Sequence, residues 1–437
     1  MSRTQDVVIV GGGISGCALL YVLAQFSHLK RITLIEKESA LASLNSHPTQ
    51  NNQTLHFGDI ETNYPLSKAK EMKAAAEKMQ AFLEQKSPHS FRKFHKMVLA
   101  VGEAEVRALR KRFEAFSPVY PKLQWLDRAA IGQKEPALVE GRPPRQKMAA
   151  LWTPDGYAVD YQSLARSFVS EAQKSKKDIS LLTGETVETV EKKNETFQIK
   201  TASRTLSARS VALTAGPHSL LFSQKLGLGR HLGILPVAGS FYTTPQVLRG
   251  KVYAMQNPKL PFAAVHGDPL LTDESKTEFG PTAQPIPFLE RRRPKSFHDF
   301  RSLSMWDGAG ILSLLRIGFS PTLFSFALKN MFYQIPGVGK RLFLRTARKL
   351  VPLLQLRDLH PAPSLGGVRP QVIDTRKKSL VHGDVLLVSE GLTARITPPV
   401  GASSALDCAF DQAKKTLDFF SEPLTIKVDN FEKALLF

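Results

Sequence analysis

The sequence contains very few cysteines, the residues that form disulfide frameworks and many metal sites. Its 437 residues include 2 cysteines, Cys17 and Cys408, which lie far apart and form no CxxC pair. Two such thiols cannot hold a disulfide scaffold, and their spacing matches no zinc motif. We therefore predict a protein without a structural metal ion, in a reducing compartment.

Acidic residues are scarce relative to basic ones. The chain has 39 Asp plus Glu against 59 Lys plus Arg, which gives a formal net charge of +20. A surplus of this size favours anionic partners such as lipid head groups, nucleic acids or carboxylate substrates. No nucleic-acid recognition motif accompanies the charge, so we expect no nucleic-acid partner.

Long apolar runs are missing as well. Arg316 and Lys329 interrupt the best candidate, residues 311–332, so no run reaches the roughly 18–20 apolar residues that cross a bilayer. Residues 1–6 are polar and do not form a signal peptide. We therefore expect a cytoplasmic location and leave attachment to a membrane surface open.

The strongest motif stands at the amino terminus. An apolar strand at residues 7–10 runs into Gly11, Gly13 and Gly16, after which the pattern becomes helical. In this context the first glycine permits a tight turn and the second lets the backbone approach a pyrophosphate. The third lets the helix pack closely on the strand. These residues predict the βαβ unit that opens a doubly wound sheet.

Glu36 completes a dinucleotide-binding signature. It follows a second strand at residues 31–35 and stands 25 residues after Gly11. A carboxylate there accepts hydrogen bonds from the ribose hydroxyls of an adenosine and repels a 2′-phosphate, which disfavours NADP. We favour FAD over NAD because the motif opens a long chain whose later segments return to the same domain.

The pattern along the chain predicts two interleaved domains. We expect an α/β fold in which a FAD-binding, Rossmann-like doubly wound domain comes from residues 1–75, 155–217 and 365–437. An α+β substrate domain, built on an antiparallel sheet, would come from residues 76–154 and 218–364. The predicted helices cover 15–26, 66–85, 103–116, 161–173 and 402–420, and the further strands cover 97–101, 123–126, 179–182, 186–192, 196–201, 210–213, 262–271, 277–279 and 385–388.

Two connections are also predicted. A turn at residues 155–160 leads into the helix over 161–173, and a loop rich in Gly and Pro joins the last strand to the last helix.

Several segments resemble a known superfamily. The amino-terminal motif, Thr214-Ala-Gly216 and the run 391–404 are similar to the FAD-dependent, D-amino-acid-oxidase-like oxidoreductases. Within that group, the run in which His56 precedes Glu61-Thr-Asn63-Tyr64 resembles the malate:quinone oxidoreductase family. The resemblance extends to His266-Gly-Asp268, Phe279-Gly-Pro281 and Pro399-Val-Gly401-Ala-Ser-Ser404.

The resemblance implies oxidation of L-malate with FAD, and transfer of the electrons to a membrane quinone. It implies His266 as the base that takes the hydroxyl proton while hydride leaves for the flavin, since a neutral imidazole accepts protons near physiological pH. His56 would orient the substrate or lie near the flavin. Arg369 would bind one carboxylate with its bidentate fork, and Asn63 and Tyr64 would bind the other.

The cofactor is expected to contact residues from several parts of the chain. Free N–H groups at 401–403, where the last helix begins, would stabilise negative charge on the flavin. The predicted cofactor-binding residues are Gly11, Gly13, Ile14, Ser15, Gly16, Glu36, Lys37, Gln53, Thr54, Val187, Ala215, Gly216, Gly391, Thr397, Gly401, Ala402 and Ser403.

Residues 290–350 form a basic amphipathic segment. Residues 290–349 carry twelve Lys or Arg and three Asp or Glu, interleaved with large apolar side chains. Such helices lie in an anionic bilayer interface. We therefore expect a peripheral protein on the inner face of the cell membrane, where a quinone is within reach.

Two alternatives stay open at this stage. One is a FAD-dependent oxidase or dehydrogenase of another L-2-hydroxy acid, such as L-2-hydroxyglutarate. The other is a flavin-containing, membrane-associated binding protein without catalytic activity.

Overall fold

The computed structural model describes residues 3–61, 63–256, 264–381, 383–396, 401–426 and 431–435. The predicted cofactor contact Thr397 lies outside the described residues.

Helices and strands are interspersed along the chain. The first part contains β1 (Gln5–Val10), α1 (Ile14–Phe26), β2 (Arg31–Glu36), α2 (Leu66–Lys86), β3 (Phe91–Val101), α3 (Glu103–Phe116), β4 (Gln124–Leu126), α4 (Arg128–Lys134) and β5 (Met148–Val159). The middle contains α5 (Tyr161–Gln173), β6 (Asp178–Thr183), β7 (Val187–Lys193), β8 (Thr196–Thr201), β9 (Thr205–Leu213), α6 (His218–Lys225), β10 (Leu232–Ala238), β11 (Phe241–Pro245), β12 (Lys251–Ala254), β13 (His266–Pro269), β14 (Lys276–Gly280) and β15 (Gln284–Pro285). The last part contains α7 (Ser296–Arg301), α8 (Gly308–Gly318), α9 (Pro321–Phe332), α10 (Val338–Ala347), β16 (His360–Ala362), β17 (Val368–Asp374), β18 (Ser379–Leu380), β19 (Val385–Ser389), β20 (Leu392–Ile396), α11 (Ala405–Asp418) and α12 (Phe431–Ala434). Strands follow one another in runs at β6–β9, β10–β15 and β16–β20, and helices do so at α7–α10.

The first sheet is the predicted nucleotide-binding sheet. Its strands run in the order β19-β20-β9-β1-β2-β6, and β7 and β8 extend it from β9. The neighbours from β20 to β6 are parallel. Helix α1 is almost wholly buried and packs against α5 and α11 on one face of this sheet. The carboxyl ends of β1 and β9 therefore meet at one edge, next to the start of α1.

Two further sheets build the substrate domain. One has the order β15-β10-β17-β18, and the other has the order β16-β11-β14-β13-β12-β3-β5-β4. Both are antiparallel, apart from the parallel pair of β12 with β3. This arrangement confirms the predicted fold class, a Rossmann-like domain interleaved with an α+β domain on antiparallel sheet.

Three sequence-based predictions of local structure are wrong. Residues 155–160 do not form a turn, because β5 continues to Val159 opposite β3, and the missing side chain of Gly156 lets the carbonyl of Phe94 approach. The predicted loop after β19 contains the buried strand β20, which pairs with both β19 and β9. Strand β17, placed by sequence in the nucleotide domain, pairs with β10 of the second sheet.

Helices α7 to α10 lie in the basic segment and leave an apolar surface exposed. Among the described residues, no single helix has the length and hydropathy to cross a membrane. Helices α8 and α9 pass that test only as a pair, bent by 78°. Phe319 is 71% exposed and Met331 is 59% exposed. The other exposed large apolar side chains of this segment are Trp306, Ile311, Leu312, Leu315, Phe324, Leu328, Phe332, Ile335 and Val338.

Candidate active site

The glycine-rich turn packs as tightly as the motif predicts. Gly11 has a φ of +107°, and a Cβ there would lie 2.7 Å from the carbonyl oxygen of Thr214. A Cβ at Gly16 would lie 1.9 Å from the carbonyl oxygen of Gly11. Only glycine fits such contacts. The turn therefore holds the start of α1 against β1 and the loop after β9.

Glu36 lies at the end of β2 beside this turn. Its carboxylate accepts hydrogen bonds from the backbone N–H of Gly12 at 2.7 Å and of Glu38 at 2.9 Å. Burial raises the pKa of Glu36, and these two hydrogen bonds oppose that effect. Lys37 is paired with Glu290, which belongs to the basic segment.

A cavity of about 780 Å³ opens at this edge of the first sheet. The space beside two glycines of its wall is open. A Cβ added at Gly216 would meet no atom within 4 Å. Gly13 is nearly as open, with Oγ of Ser46 at 3.5 Å from such a Cβ. The predicted cofactor contacts that line the cavity are Gly11, Gly13, Ile14, Ser15, Glu36, Lys37, Val187, Ala215, Gly216 and Ala402.

Another part of the cavity wall lies outside the predicted cofactor contacts, although residues 43–59 follow the second strand as a polar stretch of the kind that binds rather than packs. This part comes from the loop after β2, from α6 and from the chain before α7. The residues are Ser43, Leu44, Asn45, Ser46, His47, Thr49, Gln50, Asn51, Asn52, His218, Phe222, Leu289, Glu290, Arg291 and Arg292. The polar composition of residues 43–59 was the available signal for the first of these segments.

Some predicted cofactor contacts lie elsewhere. Gly391 precedes β20 at its amino end, the opposite end of the sheet from the cavity, and packs against Phe197. The prediction for Gly391 failed because the sequence did not reveal β20. Gln53 is buried with a positive φ of 55°, and its amide donates to the carbonyl of Pro48.

Thr54, His56 and Ser403 form a hydrogen-bonded cluster beside Ala402. Oγ of Ser403 lies 2.9 Å from the backbone N of His56 and 3.1 Å from its Nδ1. The same hydroxyl lies 3.2 Å from the carbonyl oxygen of Thr54, to which Tyr161 also donates at 2.8 Å. The hydroxyl of Ser403 is therefore engaged with the histidine, while the expected contact of the backbone N–H groups at 401–403 with the flavin stays a prediction. The neighbouring Gly401 is also buried.

His266 lies at the start of β13 and is completely buried. Its Nδ1 is 3.1 Å from the carbonyl oxygen of Ala264, and its Nε2 is 3.4 Å from Oδ2 of Asp268. Its ring centroid lies 5.0 Å from that of Tyr253. Burial lowers the pKa of His266, and Asp268 opposes that effect.

Arg369 and the two histidines belong to one electrostatic environment. Arg369 lines the cavity, and its guanidinium has no ion-pair or hydrogen-bond partner in the described part of the chain. Burial lowers the pKa of His56 to about 3, with further lowering by Lys96, Lys251, Arg369 and His266. The fold thus brings together three predicted site residues that are far apart in sequence.

An ionisable row crosses the substrate sheet beside this cluster. We use this name for Lys96, Lys251, Asp268 and Glu278, which occupy equivalent positions on the adjacent strands β3, β12, β13 and β14. Residues opposite each other on adjacent strands share a face of the sheet. Each of the four is at most 3% exposed. Sequence analysis missed three members, although the spacing of His266 and Asp268 pointed to a shared face.

The charges of the row are compensated by neighbouring groups. Lys96 is paired with Asp59 at 2.7 Å and also with Glu61. Burial acts to lower the pKa of Lys96, but the two carboxylates outweigh it and the pKa is raised. Lys251 lies 3.5 Å from Asp268. Burial, reinforced by Asp268, raises the pKa of Glu278 to about 8, so its carboxyl is protonated at neutral pH.

Asn63 and Tyr64, predicted to bind the second carboxylate, lie away from the cavity. Asn63 is exposed, and its amide donates to the backbone carbonyl of Gln256 at 3.0 Å. Tyr64 is partly buried against the hydrophobic core of the nucleotide domain. Lys251 lies closer to the cavity, since its Nζ is 3.3 Å from the carbonyl oxygen of the cavity residue Asn52.

Comparison with known proteins places these features in a family. A family model described as "FAD dependent oxidoreductase" matches residues 6–386. A Campylobacter jejuni protein named "Probable malate:quinone oxidoreductase" is 39% identical, over 99% of both chains. A Helicobacter pylori "Malate:quinone oxidoreductase" is 36% identical, over 100% of this chain and 98% of its own length.

Solved structures of low sequence identity share the fold. A glycine oxidase from Geobacillus kaustophilus is 18% identical with a TM-score of 0.65, over 95% of each chain. The FAD-bound L-alpha-glycerophosphate oxidase from Mycoplasma pneumoniae is 17% identical with a TM-score of 0.64, over 98% of this chain and 97% of its own. With its glycine-rich turn, its cavity and full-length relatives of one kind, this chain belongs to the FAD-dependent oxidoreductase family and, within it, to the malate:quinone oxidoreductases.

Proposed function

We propose that the protein oxidises L-malate to oxaloacetate with FAD as its cofactor and passes the electrons to a membrane quinone. The observation that carries this proposal is a cluster of Lys96, Lys251 and Arg369 around His56, with Arg369 at the wall of the cavity of about 780 Å³, in a chain whose full-length relatives are malate:quinone oxidoreductases. The alternatives of a different 2-hydroxy acid and of a non-catalytic flavoprotein are outcomes of the test below.

The cavity residues suit each part of FAD. The turn at Gly11–Gly16 and the start of α1 would hold the pyrophosphate, because helix N-termini favour anions. Glu36 would accept the ribose hydroxyls. When bound, FAD supplies the acceptor for the hydride from C2 of the substrate.

Arg369 would hold one carboxylate of malate. Arg369 is partly buried at the cavity wall, its guanidinium has no anionic partner in the described part of the chain, and a planar fork matches a carboxylate bidentately. Lys251 is a better candidate than Asn63 or Tyr64 for the second carboxylate, because it is buried beside Asn52 at the cavity wall. A histidine of the same cluster would take the hydroxyl proton.

The deciding experiment follows the flavin absorbance of the purified holoenzyme without oxygen. We expect malate to bleach the visible flavin bands, and a soluble quinone to restore them. Bleaching by L-2-hydroxyglutarate but not by malate would support the other hydroxy-acid enzyme. Absence of bleaching with every hydroxy acid in the panel would support a binding protein.

The exposed surface of α8 and α9 would rest on the inner face of the cell membrane. Its large apolar side chains would enter the interface while Arg316, Lys329 and Arg341, all exposed, meet anionic head groups. This contact would place the enzyme beside its quinone.

Sedimentation with phosphatidylglycerol vesicles tests the membrane contact. We expect Phe319→Ser combined with Met331→Ser to reduce the bound fraction strongly. Val388→Ser is the matched control, because Val388 is an exposed apolar residue of β19 outside the basic segment. Equal binding of all three proteins would contradict the assignment of this surface.

A further inference from the structure

The two buried histidines differ in what their ring nitrogens contact. Both nitrogens of His266 face oxygen acceptors, the carbonyl of Ala264 at 3.1 Å and the carboxylate of Asp268 at 3.4 Å. Nδ1 therefore donates to the carbonyl of Ala264, which can only accept, whereas Nε2 makes no hydrogen bond with Asp268 or with any other described residue. Nε2 of His266 is also fully enclosed. In this geometry a substrate hydroxyl has no access to Nε2 of His266.

His56 has one nitrogen engaged and the other free. Nδ1 lies 3.1 Å from Oγ of Ser403. Within the described residues, no polar atom lies within hydrogen-bond distance of Nε2. This atom is also not among the fully enclosed polar atoms that lack a partner, a group that does include Nε2 of His266. Nε2 of His56 is therefore not completely enclosed, whereas Nε2 of His266 is.

Ser403 favours the tautomer of His56 that a base needs. Oγ of Ser403 lies 3.2 Å from the carbonyl oxygen of Thr54, which can only accept, so the hydroxyl proton is directed there. The lone pairs of Ser403 then accept from the backbone N–H and from Nδ1 of His56.

We propose that His56, rather than His266, takes the hydroxyl proton of the substrate, and that Ser403 is the positioning residue that fixes its tautomer. This inference rests on the proposed function and names the base of that reaction. The proton moves from the C2 hydroxyl to Nε2 of His56, the C2–H bond breaks, and its electron pair leaves with the hydrogen as hydride for the flavin. The carbonyl of oxaloacetate forms from the C2–O bond.

Substrate binding would activate this base. The charged and titratable groups that act on His56 are Lys96 of β3, Lys251 of β12, His266 of β13 and Arg369 of β17, and Tyr161 of α5 contacts its partner Ser403. The three cations disfavour a positive charge on its ring. A malate dianion bound beside them neutralises that field, so the pKa of His56 rises in the complex. His56 would hold the proton while the dianion is bound and would release it when the product leaves.

The kinetic test compares matched variants of the FAD-loaded enzyme. We expect His56→Gln to slow anaerobic flavin reduction by malate by about 10²-fold or more, as loss of a general base does. Ser403→Ala should slow reduction about 10-fold or more with little change in KM, since partners of this kind act through the residue they orient. Ser404→Ala is the control, because Ser404 is the next serine along the chain and bonds Gly401 rather than His56.

Two readouts separate the proposed role from a merely structural one. The pH dependence of kcat should report a higher pKa than that of kcat/KM, because kcat describes the substrate complex. In 15N-histidine-labelled holoenzyme, the signal absent from His56→Gln should show a protonated Nδ1 and an unprotonated Nε2. Ser403→Ala should lose this preference, and Ser404→Ala should keep it.

The outcomes distinguish failure of this inference from failure of the proposed function on which it rests. If the wild-type flavin is not reduced by malate, the proposed function fails. If malate reduces the wild type and His56→Gln equally fast, or if Nε2 of His56 carries the proton in the wild type, the assignment of the base is overturned. A large loss of reduction in His266→Gln without a loss in His56→Gln would return the role to His266.

Discussion

The cofactor cavity and the substrate site are built by different physical means. The cavity is shaped largely by backbone, since the turn at Gly11–Gly16 works because side chains are missing. The substrate site is shaped by charged side chains held inside a sheet, such as the buried pair of Lys96 and Asp59. The cofactor cavity depends on open space beside the backbone, and the substrate site depends on a balance of buried charges. Substitutions should therefore damage the two regions in different ways.

The sharpest test of the cavity is Gly16→Val. A Cβ at Gly16 would lie 1.9 Å from the carbonyl oxygen of Gly11, so α1 cannot pack against the turn. We expect complete loss of bound flavin, measured by absorbance of the purified protein, together with a lower Tm. Gly318→Ala in α8 is the control, because a Cβ there meets no atom within 4 Å. A yellow Gly16→Val protein would contradict the described packing.

In the substrate site, Arg369→Met should reduce malate affinity without affecting flavin. Loss of one partner of a buried carboxylate contact costs about 2–5 kcal/mol, so KM or Kd should rise by about 10²-fold. Titration of the oxidised holoenzyme with oxaloacetate measures the affinity directly. Arg376→Met is the control, since Arg376 is exposed in the turn after β17. Unchanged affinity would remove Arg369 from the site.

Lys96→Met tests charge balance within the same sheet. The variant leaves Asp59 and Glu61 buried without their cation, which should lower the free energy of unfolding by about 3–5 kcal/mol. Adding Asp59→Asn and Glu61→Gln should recover much of that loss. Denaturant titration measures both effects. If the single and triple variants are equally stable, the three residues do not act as one charge cluster.

The smallest expected effect is on pH dependence. Burial raises the pKa of Glu278 from 4.5 to about 8, so the folded state binds this proton more tightly than the unfolded state does. Its contribution to stability is complete below about pH 4.5 and is lost as the pH rises toward 8. Glu278→Gln cannot titrate, so its Tm should fall less than that of the wild type between these values. Parallel Tm curves would contradict a protonated Glu278.

Sequence analysis was most successful where function depends on consecutive residues. The turn from Gly11 to Gly16 and Glu36 at the end of β2 follow from patterns within about 30 residues, and the structure has them where expected. Sequence analysis was least successful where a segment forms a strand because of the strands with which it pairs. Strand β20 was taken for loop because its pairing with β9 and β19 is not visible locally.

The substrate site shows the same limit. His56, His266 and Arg369 were selected through a family resemblance, but the assignment of base and helper depends on which atom faces Ser403 and which faces Asp268. Asn63 and Tyr64 were selected through the same resemblance, in the run Glu61-Thr-Asn63-Tyr64, and they lie away from the cavity.

The amino-acid sequence by itself determined the class of cofactor and the start of the fold, because a glycine-rich turn acts through neighbouring backbone atoms. Only the tertiary structure decided the ionisable row, because Lys96, Lys251, Asp268 and Glu278 become neighbours through strand register. Register places residues more than a hundred positions apart side by side, and their charges and pKa values depend on that contact.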